Sequence, residues 1–324
     1  MIILVLAALA AGGWLAWALY SPVTPSGQQF VMLRAGYSTH RIANELQSAG
    51  VIRSARAFLI WRRLHHGHSL KAGEYLFEKS ANILEVNDRL VRGDIYIRTV
   101  VIPEGFTLFD VAQAVENAGL GKKEEFLKVA ITDTGMIHDL APDAATLEGF
   151  LFPNTYEFTR TQSMQDIAGI MVKQFREVAH EIGLESNVVG MVTLASIVEK
   201  ETAVAEERAV VASVYSNRAR RNMPLQADPS VVYAELLQGA YTGALHHADM
   251  QFDSPYNTYR HAGLPPGPIA NPGKAALEAA MHPANTDYLY FVADGAGRHR
   301  FSRSLEEHNR NVAAYRKAVN GQQR

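Results

Sequence analysis

Hydrophobic and polar positions divide this chain into three regimes: an unbroken apolar start, a repeated strand-and-helix pattern, and longer helical periods separated by Pro- and Gly-rich loops. The first regime, MIILVLAALAAGGWLAWALY, precedes any charged side chain (the first is Arg34) and is long enough for one helix across a bilayer. Trp14, Trp17 and Tyr20 gather at its C-terminal end, where amphipathic rings favour the headgroup layer, and Ser21 to Gln29 reads as a polar exit linker. The competing reading is a cleaved signal peptide, since Ala16-Trp17-Ala18 has the A-x-A shape. The missing basic n-region and the length of the run favour an anchor. No basic residue precedes the span, so flanking charge does not set its orientation, and a few residues before Met1 are expected.

In the second regime, FVMLRAGYSTHRIANELQSAGV from Phe30 and TVVIPEGFTLFDVAQAVENAGL from Thr99 align without gaps at an offset of 69 (105 − 36). Gly36 pairs with Gly105, Ile42 with Val111, Ala43 with Ala112, Leu46 with Val115 and Gly50 with Gly119. Each copy reads as a strand, a Gly turn with Ser or Thr near a helix start, a helix with apolar residues at i, i+3 and i+4, and a Gly stop. KAGEYLF at Lys71 to Phe77 and a helix from Ile83 to Val91 lie between them. The copies, the second more than the first, resemble the LysM module, a small β-α-α-β unit that binds glycan chains. A repeat used only for packing is the alternative. The expected domains are an anchor at 1–20, a linker at 21–29, a LysM-like region with the internal repeat at 30–134, and a catalytic domain at 135–324.

The third regime predicts helices at Met164 to Ile182, Ser186 to Lys200, Glu206 to Arg221, Val231 to Leu237 and Lys274 to Met281, then a β-hairpin of DYLYFVAD and RHRFS across Gly295 and Gly297. The class is α+β, its second part mainly helical. In MVTLASIVEKET, a helical phase of about 100° per residue sets Met191, Leu194, Ile197, Val198 and Glu201 on one stripe and Glu199 roughly 160° away. Of these two carboxylates only Glu201 is expected to leave bulk water. A carboxyl against apolar neighbours holds its proton to higher pH, as a general acid working near neutrality requires. A solvated Glu at a frayed helix end is the other reading.

Composition removes several chemistries. With 48% hydrophobic and 20% charged residues the chain is globular, and a net charge of −2 without long basic runs makes nucleic acid an unexpected partner. No cysteine is present, so disulfides and thiolate chemistry are excluded. G-x-S-x-G, phosphate-loop and dinucleotide-loop patterns are missing. His65, His66, His68, His246 and His247 with Asp249 lack metal-ligand spacing, so neither a metal nor a cofactor is expected. What the loops do offer is sugar-gripping chemistry. Gln226, Asp228, Asn257 and Thr258 supply hydrogen-bonding groups, Tyr256 and Tyr259 flat faces, and Pro255, Pro265, Pro266 and Pro268 stiffness. Asp228 could equally cap the helix that follows it, and Tyr259 could be core.

ASIVEKETAV at Ala195 to Val204, RRNMPLQADPSVVYA at Arg220 to Ala234, YNTYRHAGLPPGPIANPG at Tyr256 to Gly273 and HPANTDYLYFVADGAGRHRFS at His282 to Ser302 closely resemble the YceG-like (MltG) endolytic murein transglycosylases. The resemblance runs over nearly the whole chain, anchor and LysM-like region included. It implies a lysozyme-like catalytic domain and non-hydrolytic cleavage of the MurNAc–GlcNAc β-1,4 bond of peptidoglycan, with a 1,6-anhydro product and termination of nascent strands. The second Glu of EKET, Glu201, would be the acid and then the base. Glu148, a lone acid among aromatics, Gln226, Asp228, Tyr256, Asn257, Thr258 and Tyr259 are assigned to substrate binding. A single pass through the inner membrane, N-terminus cytoplasmic and catalytic domain periplasmic, would place the enzyme beside peptidoglycan synthases. A non-catalytic glycan-binding scaffold and a hydrolytic muramidase pairing Glu148 with Glu201 are the competing functions.

Overall fold

The computed structural model describes residues 1–65 and 67–322; of the histidines singled out above, His66 lies outside the described residues. The chain is α+β and forms two compact units, Met1–Thr99 with Glu157–Ser163, and Val100–Tyr156 with Met164 onward.

The first unit begins with α1 (Ile2–Tyr20), long and apolar enough to cross a membrane. There follow β1 (Gln29–Leu33), α2 (Thr39–Ser48), α3 (Ala55–Leu64), β2 (Gly73–Phe77) and α4 (Ile83–Arg92). β1 and β2 pair antiparallel with Val31 opposite Tyr75 and Leu33 opposite Gly73. Their inner face meets Leu46, Phe58 and Leu90 in one apolar core, where each large side chain contributes on the order of 2 kcal/mol. The last turn of α1 joins that core through Ala18 and Leu19. The stretch read as a linker is held to the same unit, for Val23 bridges Ala81 and Arg53 Nη2 donates to Pro22 O at 3.2 Å. Glu74, 1% exposed, is clamped by Arg98 at 2.9 Å and Arg160 at 3.0 Å, which ties the segment 157–163 into this unit.

The order β-α-α-β recurs with β3 (Arg98–Ile102), α5 (Leu108–Asn117), α6 (Lys123–Thr132) and β4 (Asn154–Phe158), the two strands again pairing. The repeat extends to its caps. Ser38 and Thr107, 69 positions apart, are the N-caps of α2 and α5 and accept from the backbone three residues on. Gly50 and Gly119 end the helices at φ 68° and 69°, left-handed backbone that favours glycine.

In the second unit follow α7 (Met164–Glu181), α8 (Val188–Glu201), α9 (Arg208–Arg220), α10 (Asp228–Gln238) and α11 (Lys274–Met281), close to their predicted bounds. The hairpin is present as β5 (Tyr290–Ala293) and β6 (His299–Ser302), with Phe291 opposite Phe301. A further helix, α12 (Leu305–Gln322), packs on this hairpin and is not predicted by the sequence reading. α8 is central to this unit, packed by α9, α10 and α11, and buried without a break from Val192 to Val198.

Candidate active site

Glu201 is the last residue of α8, and a 3-10 turn at Ala205–Glu207 reverses the chain into α9. That reversal sets Tyr215 and Arg218, one helical turn apart, facing the end of α8. Together with Leu225, Gln226, Asp228, Tyr259, Phe291 and His308 these residues line a cavity of about 270 Å³ into which the Glu201 side chain opens.

Tyr215 Oη donates to Glu201 Oε1 at 2.8 Å. Burial pushes the Glu201 pKa up to about 7; the hydrogen bond from Tyr215 opposes this, the charge of Asp228 adds to it, and His299 lowers it. The negative end of the α8 dipole acts in the same direction as burial. No cation pairs with Glu201 among the described residues. The group therefore holds a proton near neutral pH and can release it, as an acid that also serves as base must.

Glu199 corrects one expectation, because it too has left bulk water. Its side chain is 7% exposed, Arg208 Nη2 lies 3.7 Å away, and Gly273 N donates to it at 3.0 Å. Burial raises its pKa first of all. The cause is the central place of α8, which has no wholly solvated face. What separates the two acids is partnership: Glu199 is tied to a cation and a backbone amide, whereas Glu201 has one phenol and a cavity.

The wall opposite is built on alternation. Leu225 and Ala227 are fully buried, while Gln226 between them and Asp228 after them are exposed. Gln226 takes φ 55°, a left-handed conformation that costs a non-glycine residue about 1 kcal/mol, and is held there by its N–H on Thr258 O at 3.1 Å. Asp228 opens α10 without capping it, the N-cap being Ala227, and accepts from Tyr259 Oη at 2.5 Å. Arg218, 8% exposed, donates through Nε to Leu289 O at 2.6 Å and through Nη1 to Leu225 O at 2.8 Å and Gln226 Oε1 at 3.3 Å. Its guanidinium lies 5.0 Å from the Tyr290 ring, and Tyr290 stacks on His308. Burial and the nearby Arg218 charge lower the His308 pKa below the ordinary imidazole value.

Of the sequence-predicted residues, the cavity gathers Glu201, Gln226, Asp228 and Tyr259. Glu148, Tyr256, Asn257 and Thr258 line other parts of the unit and build it. Glu148 is 2% exposed, with both carboxyl oxygens accepting from Leu108 N at 3.1 and 2.9 Å and one from Asn271 Nδ2 at 2.9 Å, so it closes the first turn of α5. Burial pushes its pKa up to about 8. Asn257 donates to Met250 O and Phe252 O, and Thr258 Oγ1 accepts from Ala227 N, so both satisfy loop backbone. Tyr256 packs on Tyr233, with ring centroids 5.1 Å apart. Tyr215, Arg218, Phe291 and His308 escaped the sequence reading; the spacing of Tyr215 and Arg218 by one turn of α9 is the sole local signal they carry. Among the described residues no group of three or more His, Asp or Glu is gathered to hold a metal ion.

A model of the YceG-like family matches residues 31–314. The chain is 34% identical over 321 residues to a Bacillus subtilis (strain 168) protein named endolytic murein transglycosylase, covering 92% of this chain and 88% of that one. It is 31% identical to the protein of the same name from Streptococcus pneumoniae serotype 2, where the match covers 96% of this chain but spans only 63% of the relative's length. The 2.6 Å crystal structure of a yceG-like protein from Listeria monocytogenes is similar with a TM-score of 0.58 and 34% identity, over 87% of this chain and 98% of that one.

Proposed function

Because the chain belongs to the YceG-like family, we propose that it is a membrane-anchored endolytic peptidoglycan lytic transglycosylase that cuts the MurNAc–GlcNAc β-1,4 bond of nascent strands and leaves a 1,6-anhydroMurNAc end. The observation that carries this reading is the placement of Glu201: a carboxyl with a pKa of about 7, without a cation partner among the described residues and opening into a cavity. Protonated Glu201 gives its proton to the leaving glycosidic oxygen as the C1–O bond breaks. The resulting carboxylate takes the proton of the muramic C6 hydroxyl as that oxygen bonds to C1, so one group serves both steps and no water is consumed. Tyr215 orients the carboxyl, while Gln226, Asp228 and Tyr259 bind the sugars, with the Asp228 charge favouring the oxocarbenium-like transition state. Arg218 positions Gln226.

In this reading the β-α-α-β units are LysM-like glycan binders, the helical part is lysozyme-like, and α1 spans the inner membrane with its N-terminus cytoplasmic, which confines cleavage to newly made strands beside their synthases. The test is mass spectrometry of the sugar ends released from uncrosslinked glycan by the parent chain and by Glu201→Gln. Anhydro ends that vanish in the variant are the expected result. Reducing ends would mean hydrolysis, for which Asp228 is the second carboxyl in the cavity, and no cleavage by either protein would favour a glycan-binding scaffold.

A further inference from the structure

We propose that the exposed face of α3 lies on the bilayer surface and binds the headgroups of anionic phospholipids, an inference that rests on α1 being a membrane anchor. From Leu46 to Gly73 the chain has no acidic residue. Within that stretch Arg56, Ile60 and Arg63 follow one another on α3 at spacings of 4 and 3, a single stripe of the helix, with Leu64 adjoining it and Arg53 just before the N-cap Ser54. All five are exposed, Ile60 at 39% and Leu64 at 69%. None of the three arginines meets a carboxylate among the described residues, although elsewhere in the unit Arg41, Arg92, Arg98 and Arg160 all do. The other face of α3, with Ala55, Ala57 and Phe58, is spent on the core, so this stripe has no place to fold inward.

Arginines without a carboxylate partner, interleaved with large apolar side chains, are what an interfacial helix presents: the cations meet lipid phosphate while the apolar groups enter the acyl boundary. Position supports the same occupant. The Arg53 guanidinium lies 4.5 Å from the Trp17 ring, in the last turn of α1. If α1 crosses a bilayer, Trp17 is at headgroup depth and Arg53 with it, and a ten-residue helix starting beside Arg53 reaches only about 15 Å further. The linker between them is pinned to the unit by the bridge of Val23 to Ala81, so this depth is passed on to α3.

The absence of cysteine allows single spin labels in the full chain, reconstituted into phosphatidylcholine nanodiscs with or without phosphatidylglycerol. At Ile60→Cys, accessibility to a water-soluble relaxant is expected to be several-fold lower than at Thr39→Cys, an exposed site on α2, when phosphatidylglycerol is present. Arg56→Glu with Arg63→Glu, or added salt on the parent sequence, is expected to restore it. An Ile60 label as open to water as the Thr39 label would overturn the proposal, as would shielding indifferent to lipid charge and to salt. A label at Ala8 separates the two ideas: if it is open to water the anchor reading has failed, whereas a shielded Ala8 with an open Ile60 sinks the α3 proposal alone.

Discussion

Tyr215 Oη and Glu201 Oε1 lie 2.8 Å apart, so a phenol on α9 holds the carboxyl that ends α8. The bond stabilises the ionised carboxylate and thereby opposes the burial that raises the Glu201 pKa to about 7. A general acid must enter the reaction protonated, so kcat/KM for glycan cleavage should fall as pH rises through about 7. Tyr215→Phe removes the donor and should move that falling limb to higher pH by about one unit, while the maximum rate drops because the carboxyl loses its orientation. A pH profile of anhydro-product formation decides it. A limb that stays in place or moves to lower pH would show that this hydrogen bond does not set the titration.

Glu148 should behave as a structural residue. In Glu148→Gln the amide oxygen can keep Asn271 Nδ2 and Leu108 N as donors at the Oε1 position, but the amide nitrogen then faces Leu108 N at the Oε2 position, which costs about 1 kcal/mol of stability. The expected outcome is a lower Tm with turnover per folded molecule unchanged. A variant that folds at the parent's Tm yet has lost activity would return Glu148 to the catalytic machinery.

The contrast between these two acids shows what was legible in the sequence. Helical phase found Glu201 because α8 is regular to its last residue, and it misjudged Glu199 because the argument presumes a solvated face that a central helix lacks. The repeat was readable down to its caps, since a strand, a turn and a helix start are local signals. Asn257, Thr258 and Glu148 lie outside the lining of the Glu201 cavity and bond to buried backbone, a demand that polar residues near loops meet with the same groups that would grip a ligand. Arg218 and His308 could not have been found that way. Their place in the cavity depends on how α9 and α12 pack, and no local pattern records a contact made across ninety positions of chain.

Arg218→Lys tests the wall of the cavity. The guanidinium meets Leu225 O, Leu289 O and Gln226 Oε1 at once, and a lysine ammonium on a flexible stem cannot hold that fan of acceptors. Gln226, already in left-handed backbone, would lose its anchor. We expect KM for glycan to rise about tenfold, with kcat changed less, because sugar binding is impaired while Glu201 and Tyr215 stay in place. Gln226→Ala should move KM in the same direction by a smaller factor. An effect confined to kcat would instead give Arg218 a role in the chemical step.

The raised pKa of Glu201 also predicts the pH dependence of stability. The folded chain holds this proton to about pH 7, against an ordinary carboxyl value of 4.5, so between those values the folded state binds more protons than the unfolded one. Stability from this group is therefore fully present below pH 4.5, declines as pH rises toward 7, and is gone above it. Glutamine does not titrate. Glu201→Gln should match the parent near pH 4 and exceed it at pH 8, by at most about 3 kcal/mol and by less to the extent that the cavity admits water. Glu148 titrates with the same sign but is common to both proteins, so it cancels in the difference. Thermal unfolding of the two detergent-solubilised chains at the two pH values measures this directly. A constant difference across pH would mean that the Glu201 carboxyl is solvated like any surface acid, and both its role as proton donor near neutrality and the expected pH–rate limb would then have to be abandoned.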